Sequence, residues 1–190
     1  MVDAALAVLH EEGIVGASAR TIAKRAGVNQ ALIFYHFDNV DGLLLAAVDE
    51  LSSRRAVRYE ERLEHVTSLR ELVAVAGELH REDLDEGHIT VLSQMLAGAA
   101  ANTSLRAPLR DRFEPWIDIV ERTVARVVAD TPYASLVPAR DLALAITSLF
   151  VGLELLLHLE DDESRQEHHI FETMQVLAGA LEVLMQPPPR

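Results

Sequence analysis

The sequence predicts an all-α fold, and three observations carry that expectation. Apolar residues recur at the helical period from the first turn of the chain to Leu184, a spacing that gathers them on one face of a helix instead of alternating them across a strand. No β-hairpin signal, internal repeat or low-complexity tract interrupts the pattern. Hydrophobic residues make up 49% of the 190 residues, against nine Gly and seven Pro, a composition that folds and argues against disorder.

About nine helices are expected. The first runs from Val2 to Glu12, with Ala5, Leu6, Val8 and Leu9 as packing positions, and Gly13 ends it. Ser18 to Phe37, SARTIAKRAGVNQALIFYHF, reads as two short helices joined by a tight turn. Ile22, Ala23 and Ala26 give the first of these an apolar face. Gly27 takes a positive φ without steric cost, so one residue can end that helix and redirect the chain. Asn29 then offers a side-chain oxygen to the free amides of the next helix, about Gln30 to His36. A helix that short is unstable alone, so its neighbours must hold it. Together they form a helix-turn-helix, in which the second element enters a major groove.

A fourth helix starts near Asn39 or Asp41, with the stripe Leu43, Leu44, Ala47, Val48 and Leu51. Its Arg54, Arg55, Arg58 and Arg62 read as a solvated face with i,i+4 pairs. Ser68 with Glu71 is a capping box that opens a fifth helix, and Gly87 breaks it. The next helix carries Ile89, Leu92, Met95, Leu96 and Ala99. Asn102, Thr103 and Ser104 precede a stripe from Leu105 through Phe113, Trp116 and Ile117 to Val127, in which Pro115 should cause a kink or a break. Pro132 and Pro138 bracket a loop, an apolar run spans Leu142 to Leu159, and Ser164 with Glu167 repeats the capping box before the last helix.

The combination of Ser18, Ile22, Ala23, Ala26, Gly27 and Val28 with Tyr35, His36, Phe37 and Leu43 resembles the N-terminal signature of the TetR family of bacterial transcriptional repressors. The signature covers about a quarter of the chain and constrains identities at many offsets together. It implies a three-helix DNA-binding head at residues 1–40, then a helical effector-binding and dimerisation body at 41–190. A protein of that kind would repress transcription as a homodimer on a palindromic double-stranded DNA operator and be released by a small-molecule effector. No cofactor is expected.

Within the head, helix-turn-helix geometry points to Gln30, Ala31 and Leu32 as base-reading positions, with Phe34, Tyr35 and His36 one turn later. Gln30 can pair bidentately with adenine, whereas Ala31 and Leu32 can only touch a thymine methyl or fill space. Tyr35 and His36 suit phosphate hydrogen bonds, which position without reading sequence. Ile33 and Phe37 read as core, and Phe34 fits either core or groove. By the resemblance, Ser18, Ala19 and Arg20 also face DNA, with Arg20 as a guanine or phosphate contact. Two departures weaken the head. Val40 stands where many members have a phosphate-binding lysine, between Asp38 and Asp41, and Met1 falls almost inside the first helix, where most carry a basic arm before it. Weak affinity, lost steeply with salt, is the expectation.

The net charge of −13 is unevenly spread. Residues 1–40 hold four acids (Asp3, Glu11, Glu12, Asp38) and three bases (Arg20, Lys24, Arg25), a net of −1, which leaves −12 for the body. All three bases lie within residues 18–37, so an acidic body carries a locally basic reading head.

The last two helices are more apolar than one core needs. Leu142, Ile146, Leu149, Leu153 and Leu156 line one, and Ile170, Met174, Leu177, Leu181 and Leu184 the other, with Gly152, Ala178, Gly179 and Ala180 allowing close approach. A two-fold four-helix interface is therefore expected. By the resemblance the middle helices enclose an effector pocket, whose candidate lining is Leu92, Met95, Leu96, Phe113, Trp116, Ile117 and Phe150. Such a lining suits a lipophilic or aromatic ligand, or is ordinary core. Glu154 and His158 stand one turn apart among leucines, placed to pair within the body or its interface or to orient a ligand.

Enzyme readings find little support. The absence of cysteine excludes disulfides and thiolate metal sites and fits a reducing cytoplasm. His80, Asp83, Asp85 and His88, or His168, His169 and Glu172, have no known ligand spacing. No nucleophile elbow, phosphate loop or zinc-protease motif occurs. The acidic N-terminus is not a secretory signal, and Glu154 argues against a membrane span in the apolar run. The alternative to a repressor is an interaction protein of TetR-like fold with weak or no DNA binding, suggested by Val40 and the short N-terminus.

Overall fold

A computed structural model of the chain describes residues 1–129, 131, 134, 138–157 and 163–185, without the side chains of 163–168, 184 and 185. Pro132, His158 and the side chains of Ser164, Glu167 and Leu184 lie outside the described residues.

Among the described residues all regular structure is helical: α1 (Val2–Gly16), α2 (Ala19–Ala26), α3 (Ala31–Phe37), α4 (Val40–Glu64), α5 (Leu69–Asp85), α6 (His88–Ala101), α7 (Thr103–Asp111), α8 (Glu114–Val128), α9 (Ala139–Leu157) and α10 (Glu163–Met185). The long stripe expected from Leu105 to Val127 is two helices. The chain breaks at Arg112 and Phe113, and Pro115 sits in the first turn of α8, where its missing N–H disrupts no helical bond. Gly13 interrupts α1 with φ 69° and ψ −177°, but the helix resumes and runs to Gly16. Gln94 on α6 bridges the break by accepting the Ile14 N–H at 2.9 Å.

The capping box at α5 forms with one adjustment. Ser68 Oγ accepts the Glu71 N–H at 3.1 Å, while the Glu71 carboxylate reaches back to the Thr67 N–H and hydroxyl at 2.8 and 2.9 Å. The Thr67 backbone bond, then its hydroxyl, holds the Glu71 carboxyl below its ordinary value. The α4 arginines divide in their use. Arg54 makes the expected i,i+4 pair with Glu50, but Arg58 and Arg62 reach α5, pairing with Glu82 and Asp83 and with Glu78 and Glu82.

The chain forms two compact units, one of Met1–Arg55 with Leu84–Phe113 and the other of Ala56–Asp83 with Glu114–Arg190. The core of the first gathers Ala5, Val8 and Leu9 of α1, Ile22 and Ala23 of α2, Ile33 of α3, Leu43, Leu44 and Ala47 of α4, and Met95 of α6. In the second, Tyr59, Leu63, Leu72, Leu79, Ile119 and Val124 pack with Trp116, Leu142 and Ile146. No single described helix is long and apolar enough to cross a membrane.

Candidate nucleic-acid interface and effector region

Local hydrogen bonding builds the helix-turn-helix. Ser18, extended at φ −96° and ψ 154°, caps α2 by accepting the Thr21 N–H at 3.1 Å. Gly27 ends α2 in the left-handed conformation, φ 67° and ψ 28°, and the Val28 N–H closes onto the Ala23 carbonyl at 3.0 Å. Asn29 Oδ1 accepts the Ala31 N–H at 2.9 Å and so orders the start of α3. The Gln30 side chain makes no cap bond and is exposed.

Ile33 is fully buried and anchors α3, leaving its other face outward. Leu32 and Phe34 are exposed to 40% and 47% and Tyr35 to 80%, and Ala31 and His36 are exposed as well. The Tyr35 and His36 rings meet edge to face at 4.9 Å. Phe37 is partly buried against the core. On α2, Arg20 is exposed, but Ala19, placed toward DNA by the resemblance, is 6% exposed and packs into the core. A buried methyl at that position serves the docking of α2 into the core of the first unit.

Three supports of this head were not read from the sequence. A Cβ on Gly42 would lie 2.3 Å from the Phe37 carbonyl oxygen, so glycine alone lets α4 start this close to the end of α3. Asp41 accepts from Asn102 Nδ2 and Ser104 Oγ, both at 2.8 Å, and is held by the α6–α7 junction. Arg25 forms a two-pronged pair with Glu11 on α1 at 2.5 Å. That bond holds the Glu11 carboxyl below its ordinary range and raises the Arg25 guanidinium. An isolated glycine in the first turn of a helix was the available signal for Gly42. The other two contacts join residues 14 to 63 positions apart, which no local pattern reveals.

The candidate effector residues fall in both units. Met95 is buried in the first core, with Leu96 and Phe113 packed against it, and Leu92 on the same helix is partly buried. In the second unit Trp116 packs edge to face on Tyr59 at 5.0 Å, Ile117 is buried, and Phe150 meets the His80 ring edge-on at 6.2 Å. A groove between α4 and α8, lined by Val57, Glu60, Leu63, Ile119, Arg122 and Arg126, contains none of these predicted residues.

Leu142 and Ile146 of the expected dimer face pack against the second core, and Leu153, Ile170 and Met174 are partly buried. Leu149, Leu156, Leu177 and Leu181 stand 52–66% exposed. Leu144, Val176 and Val183, absent from the sequence reading, are exposed on the same two helices. A Cβ on Gly152 would meet nothing within 4 Å.

Residues 1–47 match the sequence model of bacterial regulatory proteins of the tetR family. The chain is 25% identical over 121 residues to the fatty acid metabolism regulator protein of Bacillus subtilis, covering 64% of this chain and 62% of that one. It is 30% identical over 105 residues to the HTH-type transcriptional regulator BetI 1 of Chromohalobacter salexigens, covering 51% and 48%. The chain thus spans less than two thirds of the length of either curated relative. In fold it is similar to the transcriptional regulator FadR from Bacillus subtilis in complex with stearoyl-CoA, at a TM-score of 0.76 and 19% identity over 93% of this chain and 95% of that one.

Proposed function

By its N-terminal 47 residues the chain belongs to the tetR family of bacterial regulatory proteins, and on that premise we propose that it is a cytoplasmic, homodimeric repressor of transcription, bound to a palindromic operator and released by a small, mainly apolar or aromatic ligand. The observation that carries this reading is the outer face of α3, where Tyr35 and His36 stand exposed on a helix fixed from behind by Ile33 and Gln30 stands exposed at its N-cap. Gln30 reads a base edge, Ala31, Leu32 and Phe34 fill the groove, and Tyr35 and His36 hold phosphates. Ser18 and Arg20 contact the backbone from the start of α2, and Ala19 supports them from within the core.

Residues 1–40 are the DNA-reading head, and 41–190 bind the effector and dimerise. A head of this size reads a short half-site, so useful specificity needs two heads at a fixed spacing. The exposed leucines of α9 and α10 supply the pairing surface, and an open position at Gly152 leaves room for a second copy's backbone. The predicted effector set remains Leu92, Met95, Leu96, Phe113, Trp116, Ile117 and Phe150. Its apolar character is in keeping with the stearoyl-CoA bound by the structurally similar regulator.

The first compact unit offers a route from ligand to head. On α6, one helix turn around Met95, Gln94 holds the α1 break and Gly98 lies against Ile14, where an added Cβ would sit 2.9 Å from the Ile14 side chain. A ligand that displaces α6 therefore pulls on α1, and through Asn102 and Ser104 on the start of α4. Footprinting on the DNA upstream of its own gene at moderate salt tests the proposal. Protection of a palindromic site is expected, and protection of no upstream region would leave an interaction protein in its place.

A further inference from the structure

Of the 17 Lys and Arg side chains in the sequence, 16 are arginines, and Lys24 is the one lysine. A guanidinium is always charged, whereas an ε-amine is the group that acylation targets, and the amide it forms carries no charge. The chain therefore has a single side chain whose positive charge acyl transfer removes, and that side chain stands in the helix-turn-helix. No cysteine thiol competes for the acyl group.

Lys24 lies exposed in the last turn of α2, with no ion pair or side-chain hydrogen bond among the described residues. Its carbonyl accepts the Gly27 N–H at 3.3 Å, so the turn fixes the backbone beneath it. Arg20, exposed four residues earlier, shares its face of the helix. Arg25, the next residue, is instead held by Glu11 through two bonds at 2.5 Å. The free positive charge of the head is thus Arg20 and Lys24, and neutralising Lys24 removes half of it. No contact of the folded chain has to break for a reagent to reach the amine.

Resting on the DNA-reading role given to the head above, we propose that Lys24 is an acylation site that turns that role off. The unprotonated ε-amine attacks the carbonyl carbon of an acyl phosphate or an acyl thioester. A C–N bond forms, the bond from that carbon to oxygen or sulfur breaks, phosphate or thiolate leaves with the electron pair, and the amine's proton goes to solvent. The product is a neutral amide that no longer pairs with a DNA phosphate.

The full chain treated with acetyl phosphate, and separately with acetyl-CoA, tests this by peptide mass mapping and by filter binding to a mixed-sequence duplex at low salt. Such a duplex reads the phosphate contribution without a known operator. One acetyl group on Lys24 is expected from at least one donor, and the donor that acts tells the two sources apart. Affinity should fall about tenfold or more, and the salt slope should flatten by about 2 units per dimer. Lys24→Arg has no ε-amine, so treatment should leave its affinity and slope where they started. Lys24 left unmodified by both donors, a modified chain that binds as before, or an equal loss in Lys24→Arg overturns the proposal. Footprinting separates its fate from that of the repressor reading. A chain that protects no upstream region but loses duplex binding on acylation defeats the repressor alone, and one whose operator protection ignores acylation of Lys24 defeats the switch alone. An untreated chain that binds no duplex at low salt defeats both.

Discussion

Arg25 is the base in the helix-turn-helix that faces its own protein, bound through both guanidinium nitrogens to Glu11. Arg20 and Lys24 are exposed with no ion pair among the described residues, and they are the cations the head can offer to phosphate. Two heads then bring four such cations, for which counterion release gives a slope of log affinity against log salt of about −3.6. That is shallower than the steep loss expected from the sequence, because few contacts mean low affinity and weak salt dependence together. Lys24→Ala should flatten the slope by about 2 units per dimer, and Arg25→Ala should leave it nearly unchanged. Filter binding across a salt series measures both, and a wild-type slope about 1.5 times the expected one, near about −5.4, would show that Arg25 leaves Glu11 for DNA. At Val40, partly buried at the start of α4, Val40→Lys should restore a phosphate contact and steepen the slope. For specificity, Gln30→Ala should cost about 1–3 kcal/mol of discrimination at one base pair and little at the others.

At the scale of elements, two glycines shape the head for different reasons. A Cβ on Gly27 would meet nothing within 4 Å, so Gly27→Ala costs only the strain of a left-handed backbone, about 1–2 kcal/mol. Gly42→Ala would push a methyl into the Phe37 carbonyl and force α3 and α4 apart, so it should cost more stability and shift α3 as well. Denaturant melts rank the two, and equal losses would contradict this division. The turn at Gly27, the cap at Asn29 and the box at Ser68 were legible because each is written within a few residues. Gly42 against Phe37, Gln94 at the α1 break and Asp41 under the α6–α7 junction were not, since each depends on how helices meet. The burial of Ala19 was not legible for the same reason: its neighbours Ser18 and Arg20 are exposed, but it packs into the core of the first unit. Glu71 gives an element-scale pH test. Its carboxyl lies below the ordinary 4.5 in the folded state because Thr67 donates to it. Its contribution is therefore present above that value and is lost as pH falls through the lowered one. The melting difference between wild type and Glu71→Gln should be largest near neutrality and vanish in acid, and a difference that grows in acid would reverse the sign.

For the molecule as a whole, the exposed apolar surface of α9 and α10 is where the proposed pairing of heads is tested. A lone chain would leave Leu149, Leu156, Leu177 and Leu181 in water, four leucines on two adjoining helices, too concentrated for scattered surface residues. A two-fold axis uses each of them twice, so truncating one removes two contacts from the dimer. At about 1.5–3 kcal/mol for each buried leucine, Leu177→Ala should weaken association by roughly 3–6 kcal/mol. On the repressor proposed above this is consequential, because a single head offering only Arg20 and Lys24 to phosphate should not hold its half-site without a second copy. Leu149→Glu with Leu177→Glu should therefore yield a monomer in sedimentation at micromolar concentration, with unchanged helical circular dichroism and no footprint. Because neither substitution touches the head, loss of protection in a folded monomer would trace DNA binding to the pairing of heads. A variant that stays dimeric, or a monomer that still protects the operator, would place the functional surface elsewhere.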